Sequence, residues 1–315
     1  MVMDFLTKTK QAKIMSNLLL VDIGGTNMRH AISSSDSNEI KDICKTVFSD
    51  MTEFEDKLEN LIKENSIDEL IASVAGPKIN ESIAMTNRDY IFNTNEITKK
   101  FNLKKCYLLN DWEAIAHSFD YVCDSIINIK EGQSYNNTVL YLGPGTGLGA
   151  SVAINNQFVL ATEVGNTTNS TKSLLNNFNI ESNTIVTLEN IISGSAISNI
   201  YKLKANTLLT SEEILDKYVQ KDPIAIDVMD GFIKSLAQSL SDLALTFNSG
   251  GGILLAGSLM RSLYPMIDKN DFYKNFMLNK FDSHMDMLNL ISIGVITKEC
   301  SPLYGNLSFY KKLKN

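Results

Sequence analysis

The residues best placed to do chemistry lie in two glycine-rich turns. The wholly apolar run Leu18-Leu19-Leu20-Val21 ends in Asp22-Ile23-Gly24-Gly25-Thr26-Asn27. About 120 residues later, Thr138-Val139-Leu140-Tyr141-Leu142 leads into Gly143-Pro144-Gly145-Thr146-Gly147-Leu148-Gly149, with Gly25-Thr26 lying over Gly145-Thr146. A glycine turn leaving a buried strand lets backbone amides approach a phosphate, because no side chain intervenes and positive φ is permitted. The hydroxyls of Thr26 and Thr146 can donate to phosphate oxygens, and Asp22 at its strand end is placed to hold Mg2+, directly or through water. One such turn alone is a weak signal, since a plain hairpin uses the same residues. Two matching turns carry more weight. The Gly-x-x-x-x-Gly-Lys-Ser/Thr phosphate loop is absent, and neither turn has the Gly-x-Gly-x-x-Gly spacing of a dinucleotide fold.

The elements that must position these turns follow from the hydrophobic pattern. Each turn is flanked by apolar runs that read as strand, tight turn, strand. Met51 to Glu64 has helical spacing, with Leu58, Leu61 and Ile62 on one side; Glu69 to Ala75 and Tyr107-Leu108-Leu109 read as buried strands. Met229, Phe232, Ile233, Leu236, Ala237, Leu240, Leu243, Ala244 and Phe247 recur as one face of a long helix that stops at Asn248-Ser249-Gly250-Gly251-Gly252. Ile253-Leu254-Leu255-Ala256 resumes as a strand. Alternating strands and helices predict an α/β fold, and the repeated turn predicts one supersecondary unit used twice. No low-complexity linker separates the halves. The expected division is a small domain of residues 17–121 plus 301–315 and a large domain of residues 122–300.

Composition narrows the function. The chain has 315 residues, 44% of them hydrophobic, with 29 basic and 36 acidic side chains and a formal charge of −7. No basic block is present to track a phosphodiester backbone, so no nucleic acid partner is expected. Cys44, Cys106, Cys123 and Cys300 are scattered, and with only His30, His117 and His284 they read as reduced thiols of a cytoplasmic protein, not as a disulfide frame or zinc site. No apolar run approaches the ~20 residues that span a bilayer, so neither export nor a membrane anchor is expected. The first fourteen residues have no assigned role.

Specific motifs then add a resemblance. Leu20 to Arg29 resembles the first phosphate motif of the bacterial glucokinases, and Leu142 to Gly149 their second. Gly252-Ile253-Leu254-Leu255-Ala256-Gly257-Ser258 is similar to that family's adenosine motif, with Gly252 and Gly257 expected to let the nucleoside lie against backbone. Leu108-Leu109-Asn110-Asp111-Trp112-Glu113-Ala114 is similar to the segment holding the catalytic aspartate. Taken alone, the Asn-Asp pair reads as a helix N-cap. The flanking motifs point instead to Asp111 as the base that takes the proton of the attacking hydroxyl. The resemblance covers roughly residues 17 to 310, where Pro302-Leu303-Tyr304-Gly305-Asn306 is similar to the closing segment with two differences. The cysteine-rich zinc motif of the repressor/ORF/kinase sugar kinases is absent.

What the resemblance implies is a cleft between two ribonuclease H-like domains of the actin and sugar kinase superfamily, taking ATP, Mg2+ and a hexose, glucose first. The enzyme would be an ATP-dependent glucokinase of glycolysis and a homodimer built through the larger domain. Asn110, Glu163 and Glu189 are the implied sugar ligands, with Asn87 from Met85-Thr86-Asn87 a weaker candidate. Without the resemblance, either glutamate reads as a solvated surface charge. The sequence departs from the family at one point: Glu163 is followed by Val164-Gly165-Asn166 where the family has Gly-Gly-His. Asn166 still donates and accepts, but its amide lacks the reach and charge of imidazole. Alternative readings are therefore a kinase for mannose or glucosamine, a low-turnover sugar or nucleotide sensor, and an actin-like filament protein. His117 and Trp112 read as packing residues, and Glu113 as a first-turn helix charge.

Overall fold

Leu18 and Leu20 point to one side of their strand and Leu19 and Val21 to the other, and all four are fully buried. A strand apolar on both faces must be covered on both faces. The computed structural model describes residues 15–25, 27–86, 88–168 and 171–314. Its first half runs β1 (Asn17–Ile23), β2 (Asn27–Ser34), β3 (Lys41–Val47), α1 (Met51–Glu64), β4 (Glu69–Val74), β5 (Lys78–Ile79), β6 (Ser82–Ala84), β7 (Ile91–Asn93), α2 (Thr94–Lys100), β8 (Lys105–Asn110), α3 (Asp111–His117) and α4 (Phe119–Val122). The second runs β9 (Ile126–Lys130), β10 (Thr138–Pro144), β11 (Leu148–Ile154), β12 (Phe158–Thr162), α5 (Thr171–Leu174), α6 (Gly194–Ala205), α7 (Ser211–Val219), α8 (Pro223–Phe247), β13 (Gly252–Leu255), α9 (Ser258–Leu263), α10 (Lys269–Phe276), α11 (Asp282–Leu290), β14 (Ile293–Ile296) and α12 (Ser301–Lys314).

The expected repeat is present in the topology. One sheet has the order β3-β2-β1-β4-β8 and the other β12-β11-β10-β13-β14-β9. In each, a central strand pairs antiparallel with the strand after its glycine turn and parallel with the next strand of the opposite neighbour, β1 with β4 and β10 with β13. Both glycine turns are therefore equivalent hairpin tips at the carboxyl ends of parallel strands, where open α/β sheets place ligands. A small sheet, β5-β6-β7, hangs beside the first.

Helix ends follow local chemistry. The long helix α8 starts at Asp222, whose carboxylate accepts from the amides of Ile224 and Ala225, with Pro223 in the first turn. It stops where Asn248 turns left-handed at φ 49°. Phe232, Leu236 and Leu240 bury its inner face in the larger core. The first sheet is covered by α1 on one side, through Phe54, Leu58 and Ile62, and by α12 on the other, through Leu303, Leu307 and Tyr310. Fully buried Asn306 of α12 donates to the Val21 carbonyl at 2.8 Å, and the Tyr310 hydroxyl donates to Glu69 at 2.9 Å. All four cysteines are free, as expected. Among the described residues no helix is long and apolar enough to cross a membrane.

Where α12 crosses α3, a Cβ on Gly305 would overlap the Ala114 carbonyl oxygen. Backbone lies against backbone there, so overpacking by one methyl should cost about 1–3 kcal/mol. Gly305→Ala is thus expected to lower Tm by roughly 2–4 °C per kcal/mol lost, as differential scanning calorimetry would record. An unchanged Tm would mean that the crossing relaxes freely.

Candidate active site

Strand register brings the first acidic group to its partners. Asp22 lies opposite Arg29 across the β1–β2 hairpin and beside Ser73 in the parallel β1–β4 pair. Its Oδ2 accepts from Arg29 Nη1 at 3.3 Å and its Oδ1 from Ser73 Oγ at 3.2 Å. Burial lifts its carboxyl above the ordinary carboxylate range, while Arg29 and Ser73 oppose that shift. Beyond it the turn closes with the Gly24 amide donating to the Asn27 carbonyl at 2.9 Å.

Asp111 arrives from the last strand of the same sheet. Asn110 ends β8 and caps α3: its Oδ1 accepts from the amides of Trp112 and Glu113, and Glu113 reciprocates at the Asn110 amide. The Asn110 Nδ2 donates to the Gly76 carbonyl at 2.9 Å. The capping role read from the Asn-Asp pair thus falls to Asn110, whose side chain is committed to holding the helix. This releases its neighbour. Half-buried Asp111 accepts from the Trp112 amide through Oδ1 at 3.0 Å. Burial chiefly, then the nearby Asp22 carboxylate and more weakly Glu163, push its carboxyl up to about 7. Such a pKa suits a proton acceptor near neutrality. His117, on the same helix, is buried against Phe309 and pushed down to about 4, mainly by burial, so it stays neutral and structural.

The opposite wall comes from the second sheet. Gly145 and Thr146 are exposed at the β10–β11 tip, which is tied down by the Gly194 amide donating to the Gly145 carbonyl at 2.7 Å. A Cβ on Gly147 would come within 2.8 Å of Glu189 Oε2, so that carboxylate lies against the turn. Glu163 follows β12, and the Leu188 amide donating to the Thr167 carbonyl at 2.8 Å draws its segment to that of Glu189. Partial enclosure and the Glu189 carboxylate raise the Glu163 carboxyl above its usual range. Asn166 closes the short turn Val164–Asn166 and is exposed. Asp22, Asp111, Glu163 and Glu189 thus form a chain of neighbouring carboxylates running from one hairpin tip to the other.

Gly257 (φ 107°) lies past the carboxyl end of β13, beside the Pro144 carbonyl and the second turn. Gly252 is corrected as a neighbour of Gly257: it starts β13 opposite Val139, at the far end of the strand, roughly 16 Å from Gly257 at 3.3 Å per residue. It is a strand-entry glycine that does not share the second turn. Thr26 and Asn87 lie outside the described residues. Sequence reasoning missed Arg29 and Ser73, which only the strand register reveals. It also missed Arg88, whose Nε donates to the Gly25 carbonyl and whose Nη1 donates to the Ser49 carbonyl at 2.9 Å.

With this geometry in view, comparison with known proteins decides the relationship. The family model described as Glucokinase matches residues 19–313. The chain belongs to the glucokinase family. The glucokinase of Colwellia psychrerythraea is 26% identical over 94% of this chain and 96% of its own length. In structure, the chain is similar to the glucokinase of Balamuthia mandrillaris solved with glucose, with TM-score 0.76, 18% identity, and coverage of 96% of this chain and 95% of that one. It is also similar to a ROK family glucokinase from Streptomyces griseus solved with glucose and AMPPNP, with TM-score 0.66, 16% identity, and coverage of 92% and 97%. At those identities the structures establish a shared mixed α/β sugar kinase fold. The family makes this chain a sugar kinase.

The charge environment of Asp111 yields a pH prediction for the kinase. A base with a raised pKa is protonated and inactive below it, so kcat/KM should rise with pH through a midpoint near 7. Asp22→Asn removes one of the causes of that shift, so the acidic limb should move to lower pH by roughly half a unit or more, whatever happens to the plateau. Initial rates across pH 5 to 9 check this, and a limb that stays put would show that Asp22 does not set it.

Proposed function

We propose that the chain transfers the γ-phosphoryl group of ATP to the 6-hydroxyl of glucose, with Asp111 as general base. The observation that carries this reading is the placement of Asp111. Its carboxylate is held through Oδ1 by the Trp112 amide at the start of α3, is raised to about 7, and feels Asp22 of the first sheet and Glu163 of the second. Family membership supports the reaction class. In the proposed complex the two glycine turns surround the phosphates: the Gly24 and Gly145 amides close the turns themselves, which leaves the Gly25 and Gly147 amides to offset the charge that develops there. Glu163 and Glu189 accept from sugar hydroxyls, Asn166 contributes donor and acceptor, and Asp111 takes the proton of the attacking oxygen. Asn110, expected among the sugar ligands, has Oδ1 engaged by the first turn of α3 and Nδ2 by the Gly76 carbonyl, and would meet a sugar hydroxyl only through its second amide hydrogen.

Magnesium fits the acidic group. Buried Asp22 and half-buried Asp111 repel each other, and a divalent cation would relieve that repulsion. Mg2+ favours one or two carboxylates, phosphate oxygens and water over a full protein cage, and no group of three or more candidate ligands occurs among the described residues. Asp22 would hold it, directly or through water, and the ion would supply charge neutralisation at the phosphates.

The reading also takes residues 17–121 plus 301–315 and residues 122–300 as two ribonuclease H-like domains that close on the substrates and exclude water. The two sheets of identical core order support that division. The family resemblance supports a cytoplasmic homodimer in glycolysis. A second reading, mannose or glucosamine as acceptor, draws support from Asn166, because the residue facing that end of the sugar differs from the family histidine.

A coupled assay with ATP-Mg and glucose, mannose, fructose or glucosamine tests both readings. Robust turnover selective for glucose is expected. Asp111→Asn should lower kcat by about 10²–10⁴-fold while calorimetry still detects sugar binding. Normal turnover in that variant would overturn the assignment, and selectivity for another hexose would favour the second reading.

A further inference from the structure

The chain's single tryptophan follows Asp111 directly, and its ring lies against Gly143 and Gly149 of the second sheet. Trp112 is the second residue of α3, and α3 packs against β10, β11 and β12 of the second sheet. Gly143 and Gly149 are register partners across the β10–β11 hairpin. A Cβ on Gly149 would overlap Trp112 Nε1, and a Cβ on Gly143 would overlap both the Ala256 carbonyl oxygen and the far edge of the same ring. Paired glycines therefore make a side-chain-free seat on which the indole lies. Two residues beyond Gly149 on β11, fully buried Ser151 donates through Oγ to the Trp112 carbonyl at 2.7 Å.

The glycines of this motif thus divide by position. Those at the tip are open to the cleft: a Cβ on Gly145 would meet nothing nearer than the Gly147 carbonyl at 4.0 Å, and one on Gly147 would meet only Glu189. Gly143 and Gly149, back along the strands, face the indole. Meanwhile the Trp112 amide donates to both Asn110 Oδ1 at 2.9 Å and Asp111 Oδ1 at 3.0 Å. One residue grips the Asp111 carboxylate with its amide and the opposite sheet with its carbonyl and ring.

We propose that Trp112 is a positioning residue that fixes Asp111 relative to the second glycine turn, and that Gly143 and Gly149 serve as the seat of its indole, not as phosphate contacts. The base belongs to one sheet and the Gly145–Gly147 tip to the other, so their separation depends on how the sheets meet. A flat aromatic wedge on bare backbone sets that spacing with few rotatable bonds. Displacements near 1 Å can cost about a hundredfold in rate. This inference rests on Asp111 being the base, and the Asp111→Asn assay tests that reading separately.

Epistasis tests the seat. Gly149→Ala should displace the indole, lower kcat by roughly tenfold or more, leave KM for ATP within about twofold, and red-shift the fluorescence of the sole tryptophan. In the Gly149→Ala/Trp112→Leu double variant the added methyl has room, and kcat should recover several-fold above Gly149→Ala. If Gly149 serves phosphate binding instead, Gly149→Ala raises KM for ATP, leaves the emission unchanged and is not rescued, which overturns the proposal. Should Gly149→Ala not fold, Trp112→Leu and Trp112→Phe decide. Trp112→Leu should lower kcat at constant KM for ATP and displace the acidic limb of the pH profile, while the planar phenyl ring restores most of both. Equal activity of all three side chains would overturn the proposal.

Discussion

Two carboxylates of like charge, buried Asp22 and half-buried Asp111, are held within electrostatic reach of each other, and much of the first sheet serves to make that arrangement stable. Coulomb repulsion and desolvation both oppose it. Arg29 and Ser73 answer at Asp22 through strand register, and the Trp112 amide answers at Asp111 through a helix start. The residual imbalance is what lifts Asp111 to about 7. A site built this way is poised to accept a proton or a cation, which is the condition that phosphoryl transfer to a neutral hydroxyl requires.

Much of this was legible in the sequence because it depends on local pattern. The spacing of Leu58, Leu61 and Ile62 predicted Met51 to Glu64 as a helix, and α1 has those bounds. The stop at Asn248 was read from its turn chemistry, and the two glycine hairpins from apolar runs on either side. The misplacement of Gly252 has a different origin. Motif similarity gives no strand direction, and only the parallel pairing of β13 with β10 reveals which end of the motif meets the turn. Arg29 escaped for the same reason, since an arginine on an alternating strand looks like a solvated charge until its cross-strand neighbour is known.

At the candidate site, residue types were easier to read than their duties. Asn110 and Asp111 were seen as a pair with two possible roles, cap and base. The structure gives the cap to Asn110, because a capping side chain must fold back on its own helix. Trp112 was read as packing, which is correct as far as burial goes. That its packing partner is the other sheet's backbone could not be inferred from periodicity, for the contact joins segments whose proximity only the assembled fold creates.

The closure of the first sheet by α12 has a bearing on how the protein is made. Asn306 reaches the Val21 carbonyl across 285 residues of sequence, so during synthesis the face formed by Leu18, Leu20 and Ile71 stays uncovered while almost all of the second half emerges from the ribosome. Bare apolar sheet is the surface that chaperones bind and that aggregates share. The half of the molecule translated first therefore completes its core only with the last helix translated, and until then the strand bearing Asp22 lacks its α12 cover.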